Sequence, residues 1–248
     1  MSKLYRKIVL NQYLSSSYEV HRRELRGLGN DLLRNLTFFR HDYRRLLPIN
    51  KQAAILELGC GQGQFLEFLK TEGYAHVLGL DLSPEVINYC QNRGYTVKQT
   101  DFFDFLEQND IQERYDAIIA NDILEHFDKD EIFRLAQLIK QALKKNGSLI
   151  IKTPNASNLF LGSFSRYCDL THEIIFTESS LKQIFLPLGF SSIEFYEPNL
   201  YCFYGHPLNY PAWLIGRLLK YWQLGIHKLH GSFEVKIVSN NLLVKVSK

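Results

Sequence analysis

Three groups of residues in this chain have the types and spacing to do chemistry. The first is Ile55-Leu56-Glu57-Leu58-Gly59-Cys60-Gly61-Gln62-Gly63-Gln64-Phe65, an apolar run that ends in a G-x-G-x-G turn. Glycine is needed where backbone takes positive φ or approaches a ligand closely. A helix starting behind such a turn offers free N–H groups and a positive dipole end. Dinucleotide fingerprints read G-x-G-x-x-G and seat a pyrophosphate, whereas here the third glycine comes one residue early, behind Glu57. The second group is two acids that close apolar runs, Asp81 before Leu82-Ser83 and Asp101 before Phe102. The third is Asn121-Asp122-Ile123-Leu124-Glu125-His126, with His172 downstream. A histidine of unperturbed pKa ~6.5 accepts protons near neutrality. His126 is therefore expected to be a general base, with Glu125 beside it and His172 as an alternative base on a later loop.

These residues need elements to position them. Ala53–Leu58 reads as a strand, Gln64–Lys70 as a short helix and His76–Leu82 as a second strand. Ser83-Pro84-Glu85 supplies an N-cap, a proline at the first helical position and an early acid, and Gly94 is the stop. Thr96–Thr100 and Asp116–Ala120 are further strands. Asp128 with Glu131 forms a capping box for a helix expected to run to Lys144-Lys145, stopped by Asn146-Gly147. Ser148–Lys152 is a fifth strand, Ser179–Leu188 a helix and Ser192–Tyr196 a strand. Phe233–Val246 reads as β-structure that includes the last strand. Near-continuous apolar strands separated by helices imply a parallel sheet covered on both faces, with ligands at the strands' carboxyl ends.

Taken in this order, the motifs resemble those of the class I S-adenosylmethionine-dependent methyltransferases over residues 50–198. The resemblance implies an α/β, Rossmann-like, doubly wound and mostly parallel seven-stranded sheet. It also implies an N-terminal helical cap or lid at 1–50, a methyltransferase domain at 51–248 and a helical insertion at 199–232 before the last strand. The implied cofactor is S-adenosyl-L-methionine. Its contacts would come from Glu57, Gly59, Cys60, Gly61 and Gly63 at the turn. Asp81 would accept from the ribose hydroxyls, with Leu82 next to it. Asp101 would accept from the adenine amino group while Phe102 covers the ring, and Asn121 and Asp122 would complete the site. The Asp122-x-x-Glu125-His126 segment is similar to that of small-molecule O-methyltransferases of ubiquinone biosynthesis. Some of those hold a divalent cation on matching residues, but Asp122 is a methylene shorter than the glutamate there, and the expectation is a base without a metal. Thr171-His172 through Thr177 looks like methyltransferases of cell-surface polysaccharides. The chain lacks an Asn/Asp-Pro-Pro-Tyr segment, which disfavours the amino-methylating DNA and protein-glutamine branches, and it lacks a Pro-Cys pair for cytosine-C5 chemistry.

Composition narrows the setting. With 248 residues, 46% hydrophobic and 22% charged, the chain can bury a full core and carries no disorder signature. Its four cysteines have no paired metal or redox spacing. No apolar run approaches the ~20 residues of a membrane span, and a cytoplasmic location is expected. Residues 1–50 hold ten Lys/Arg against four Asp/Glu, a surplus of six within a net charge of +3. That surplus leaves open an RNA methyltransferase, although nucleic acid is the less favoured partner beside a small-molecule or glycan acceptor. A catalytically inert partner protein on the same fold is the third reading. Tyr18 and His21 are candidate lid residues. Asn155 is either a wall of the acceptor pocket or a turn former. Residues 211–229 combine an apolar face with bases and suggest peripheral membrane contact.

Overall fold

The computed structural model describes residues 36–198 and 209–248. Tyr18, His21, most of the basic N-terminal segment and the start of the 199–232 insertion lie outside them. The strands are β1 (Ala54–Leu58), β2 (His76–Asp81), β3 (Val97–Gln99), β4 (Tyr115–Asn121), β5 (Leu143–Pro154), β6 (Ser192–Tyr196) and β7 (Asn241–Ser247). They form one seven-stranded sheet in the order β3-β2-β1-β4-β5-β7-β6. β1 pairs in parallel with β2 and β4, β2 pairs in parallel with β3, and β6 runs antiparallel to β7. The expected doubly wound, mostly parallel sheet is present. Its order reverses at β1, the place where such sheets open a crevice. The helices are α1 (Gln64–Thr71), α2 (Pro84–Asn92), α3 (Phe102–Leu106), α4 (Lys129–Ala142), α5 (Gly162–Tyr167), α6 (Glu178–Phe185) and α7 (Asn209–Leu229).

The described chain divides into two compact units. The first comprises the chain to Ala120 together with Gln137–Leu149 and Lys248. Its core is the fully buried Ile55, Leu56, Leu58, Leu80, Ile118 and Ile119, as near-continuous apolar strands require. Residues 36–42 are helical. Phe39 and Tyr43 lie 5.0 and 4.9 Å from the Phe65 ring in edge-on geometry, and Arg40 and Arg44 both pair with Glu72. The described end of the N-terminal segment is thus packed onto α1. The helix expected to reach Lys144-Lys145 stops at Ala142, and β5 begins at once. The backbone N–H of Arg114 takes the Ala142 carbonyl, and the Lys144 ammonium pairs with Asp116. Those partners exist only once β4 is alongside, so neither was visible in local sequence.

The second unit comprises Asn121–Ala136 and Ile150–Ser247. Its core includes Phe176, Leu181 and Phe185 beside Leu242, Leu243, Val244 and Val246 of β7. Residues 233–240, expected to be β-structure, hold no strand. Side chains take the place of a ladder there. The Glu178 carboxylate accepts the backbone N–H groups of Lys236 and Ile237. Asn155 donates to the carbonyls of Ile237 and Ser239, and Asn158 to that of Val238. Asn155 is fully buried and its amide oxygen accepts from Ser157 N–H. It therefore clamps residues 237–239 to the end of β5.

Candidate functional site

The first unit carries the glycine turn. β1 ends in Glu57-Leu58 and is followed by Gly59, Gly61 and Gly63 with φ of 67°, 46° and 74°. Side chains rarely adopt that left-handed region. A Cβ on Gly63 would stand 2.9 Å from the Tyr95 ring and 3.2 Å from Cys90 Sγ, whereas one on Gly61 would meet nothing within 4 Å. Gly63 is thus fixed by packing, and Gly61 leaves open space for close approach to the backbone. Gly61 N–H donates to Asp81 Oδ2 at 3.0 Å and Ser83 N–H to Asp81 Oδ1 at 2.9 Å, tying the tip of β2 to the turn. Burial raises the Asp81 pKa against the pull of those backbone bonds.

Glu57 is 3% exposed and its Oε2 has no hydrogen-bond partner among the described residues. Burial pushes its carboxyl well above the usual range, and the nearby Cys90 and Asp81 add to the shift. A buried carboxyl oxygen without a partner suits a ligand that brings one, and a cationic group there would return the carboxyl to its charged form. Asp101 caps α3, accepting Phe103 N–H at 2.8 Å. A carboxylate keeps acceptor capacity beyond that one bond. Phe102 is nearly buried behind it, and Leu82 is partly exposed. Cys60 is buried, its thiol held far above the usual range by a hydrogen bond with Cys90 and by burial. Sequence reasoning missed the supports of this turn. Gly79 is needed because a Cβ there would lie 2.9 Å from Cys60 Cβ, and Cys90 Sγ donates to the Gly61 carbonyl. The turn, the buried Oε2 of Glu57 and the acids at successive strand ends suit a ligand that offers hydroxyl groups and a cationic amine.

The second unit carries the acid–histidine group. Asp122, just past β4, has φ 55°, and its carboxylate pairs with Lys152. Among non-glycine residues this backbone is uncommon and is enriched where function demands it. Glu125 and His126 follow on a short 3-10 turn, Leu124–His126. Glu125 is fully buried: Oε2 accepts from Thr153 hydroxyl at 3.1 Å while Oε1 has no partner among the described residues. Burial, and the negative Asp122 nearby, push its pKa up to about 8.

The His126 ring is oriented by a chain of hydrogen bonds. Thr171 hydroxyl donates to Asp169 Oδ1 at 2.6 Å and meets His126 Nδ1 at 2.8 Å. A hydroxyl has a single proton. Since the carboxylate takes it, Nδ1 must carry the hydrogen of the His126 pair and Nε2 is left with its lone pair. His172 behaves alike, its Nδ1 donating to the Ser165 carbonyl at 2.6 Å, and the two imidazoles lie 4.8 Å apart edge-on.

Burial, then the His172 ring, lower the His126 pKa to about 4. The expectation of a histidine titrating near neutrality is corrected: His126 is neutral and proton-accepting throughout the physiological range. Burial alone would raise Asp169, but the Thr171 hydroxyl and N–H outweigh it and hold the carboxyl below the usual range. Asp169 and Thr171 were not recognised as partners of His126 in sequence, although Asp169-x-Thr171 is an Asx-turn pattern. Glu125, His126 and His172 place one ligand atom each within 4.8 Å of one another and could hold a cation. Asp122, engaged with Lys152, is not in that set.

A family model described as "Methyltransferase domain" matches residues 32–194. The chain belongs to this methyltransferase family. A malonyl-[acyl-carrier protein] O-methyltransferase of Paenibacillus sp. (strain JDR-2) is 23% identical over 202 residues, 74% of this chain and 70% of that protein. The mitochondrial ubiquinone biosynthesis O-methyltransferase of Rattus norvegicus is 32% identical over 114 residues, 42% of this chain and 32% of that protein, so the match spans about a third of its length. A SAM-dependent methyltransferase from Archaeoglobus fulgidus shares the fold with a TM-score of 0.66 at 22% identity, covering 94% of this chain and all of that one. Burkholderia thailandensis 1,6-didemethyltoxoflavin-N1-methyltransferase, solved with S-adenosylhomocysteine, shares it at 0.58 and 16%, covering 100% and 91%. This protein is an S-adenosylmethionine-dependent methyltransferase.

Proposed function

We propose that this methyltransferase acts on oxygen of a small-molecule or sugar-type acceptor, with Nε2 of His126 receiving the acceptor's proton. The observation that carries this reading is the Asp169–Thr171–His126 chain, which fixes the base tautomer and compensates the charge that His126 acquires. The two curated relatives are both named as O-methyltransferases, which supports oxygen as the accepting atom.

S-adenosylmethionine supplies a sulfonium methyl open to in-line displacement, so alignment is the main demand on the protein. On this reading Asp81 accepts from the ribose hydroxyls, and Asp101 from the adenine amino group with Phe102 and Leu82 against the ring. Glu57 holds the amine end, and backbone at Gly59–Gly63, with Cys60, lines the turn. As oxygen attacks, its proton passes to His126 Nε2. The imidazolium then donates through Thr171 toward the Asp169 carboxylate, which keeps its own charge. Glu125 buttresses the turn that carries His126, its backbone carbonyl accepting from Glu173 N–H. His172 orients the acceptor hydroxyl. We place the reaction in the cytoplasm; no helix among the described residues is long and apolar enough to cross a membrane.

Calorimetry with S-adenosylhomocysteine tests the cofactor half. Micromolar binding by the wild type and its loss in Asp81→Ala are expected, and no heat at saturating ligand in the folded protein would refute it. Mass spectrometry of products from a panel of hydroxyl, carboxyl and amine acceptors tests the second half. Turnover confined to amines would refute oxygen as the target.

A further inference from the structure

Helix α7 is turned inside out. Towards its own unit it presents mainly small and polar residues, with Leu224 and Ile226 half-buried near its end. Gln223, 5% exposed, accepts Leu159 N–H at 2.9 Å. His227 donates to the Ser157 carbonyl at 2.8 Å, and the ammonium of Lys220 pairs with Glu197. Ala212 and Gly216 continue the same half-buried stripe. Outward it presents Trp213, Leu214, Ile215, Leu218, Tyr221 and Trp222, each between 45% and 62% exposed. A helix that covers a water-soluble core does the opposite.

The patch also extends beyond one helix. Phe160 stacks on Trp222 with centroids 5.7 Å apart and planes 17° apart. Phe164 and Tyr167 on α5 are 65% and 74% exposed. Isolated exposed apolar residues are ordinary, but a contiguous aromatic and aliphatic face marks a surface that is covered in use.

Charge identifies what covers it. With Lys220 already paired to Glu197, the bases left on this face are Arg217 and Lys228 of α7 and Arg166 of α5, and neither residues 209–233 nor residues 156–168 contain an acid. A second copy of this chain would set bases against bases with no carboxylate in the patch to pair them. An anionic bilayer offers both a hydrocarbon boundary for the leucines and phosphates for the bases. Tryptophan and tyrosine are at home at that boundary. At 1.5 Å per residue the 21 residues of α7 form a rod about 31 Å long, and basic residues along its length keep it in the plane of the surface. We propose that α7, with Phe160–Tyr167, seats this enzyme on an anionic phospholipid surface.

The test uses the full chain with vesicles of phosphatidylcholine alone and of phosphatidylcholine with phosphatidylglycerol. Both tryptophans of the protein are on α7, so their emission reports the patch directly. A blue shift and co-flotation with the anionic vesicles, reduced by salt, are expected. Leu214→Glu with Leu218→Glu should abolish both while S-adenosylhomocysteine binding persists, which separates loss of docking from misfolding and from any failure of the acceptor assignment. Arg217→Gln and Lys228→Gln should each weaken partitioning about fivefold, as roughly 1 kcal/mol per interfacial base implies. Equal binding to neutral vesicles, or no binding to either, would overturn the proposal. So would a dimer in light scattering that the double glutamate variant dissolves.

Discussion

His126 and its neighbours give the sharpest residue-scale predictions. Replacing His126 with Asn should lower kcat by about 10²–10⁴, the usual worth of a general base, with the S-adenosylhomocysteine Kd unchanged; an unaltered kcat would remove His126 from the mechanism. Because its pKa lies near 4, the acid limb of the rate profile should fall near pH 4 and not near 6.5. Asp169→Asn removes a charge that raises His126, so that limb should move still lower. The same shift has a stability consequence. Between pH 6.5 and 4 the unfolded chain binds a proton that native His126 refuses, so stability is lost as pH falls through that window. The loss is on the order of 3 kcal/mol at most, and urea titrations of His126→Asn should show a flatter acid side.

Glu125 works in the reverse sense. With its pKa raised to about 8, the native state holds a proton that the unfolded state releases near 4.5, so stability is lost as pH climbs from 4.5 to 8. Glu125→Gln should remove that slope, and unchanged pH dependence in the variant would contradict it. Turnover should also survive EDTA. Loss of activity restored by Mn²⁺ would make His126 a ligand of the Glu125–His126–His172 set instead of a base.

At the scale of elements, the turns and caps carry the measurable costs. Gly63→Ala combines φ of 74° with a Cβ 2.9 Å from the Tyr95 ring. It should destabilise by about 1–3 kcal/mol and weaken cofactor binding more than Gly73→Ala, where a Cβ meets only open space. Ser83 caps α2 through Val86 N–H, and Asp128 with Glu131 closes the reciprocal box before α4. Either cap replaced by Ala should cost about 1 kcal/mol in thermal or urea unfolding. These caps were legible in sequence because their partners lie three residues away. The end of α4 was not, since Arg114 and Asp116, which hold the start of β5, lie some thirty residues earlier.

For the molecule as a whole, parallel strands buried on both faces write their own signature, whereas the strand order came from the tertiary structure. The coil at 233–240 was misread as β-structure for the same reason that it is stable: Ile237 and Val238 are buried, but the backbone is satisfied by Asn155 and Asn158 from about eighty residues away in sequence and by Glu178 from about sixty. Asn155→Ala should strand two carbonyls and an N–H and cost on the order of 2–3 kcal/mol. A variant as stable as the wild type in urea would show that water replaces the clamp.

The sequence by itself determined the sheet, the glycine turn, the acids at the strand ends and the family, because each is written in local periodicity and short spacing. Only the tertiary structure decided the protonation of His126, the orphaned oxygens of Glu57 and Glu125, and which face of α7 looks outward. Those depend on desolvation and on partners brought together by folding, and neither quantity is carried by neighbouring residues along the chain.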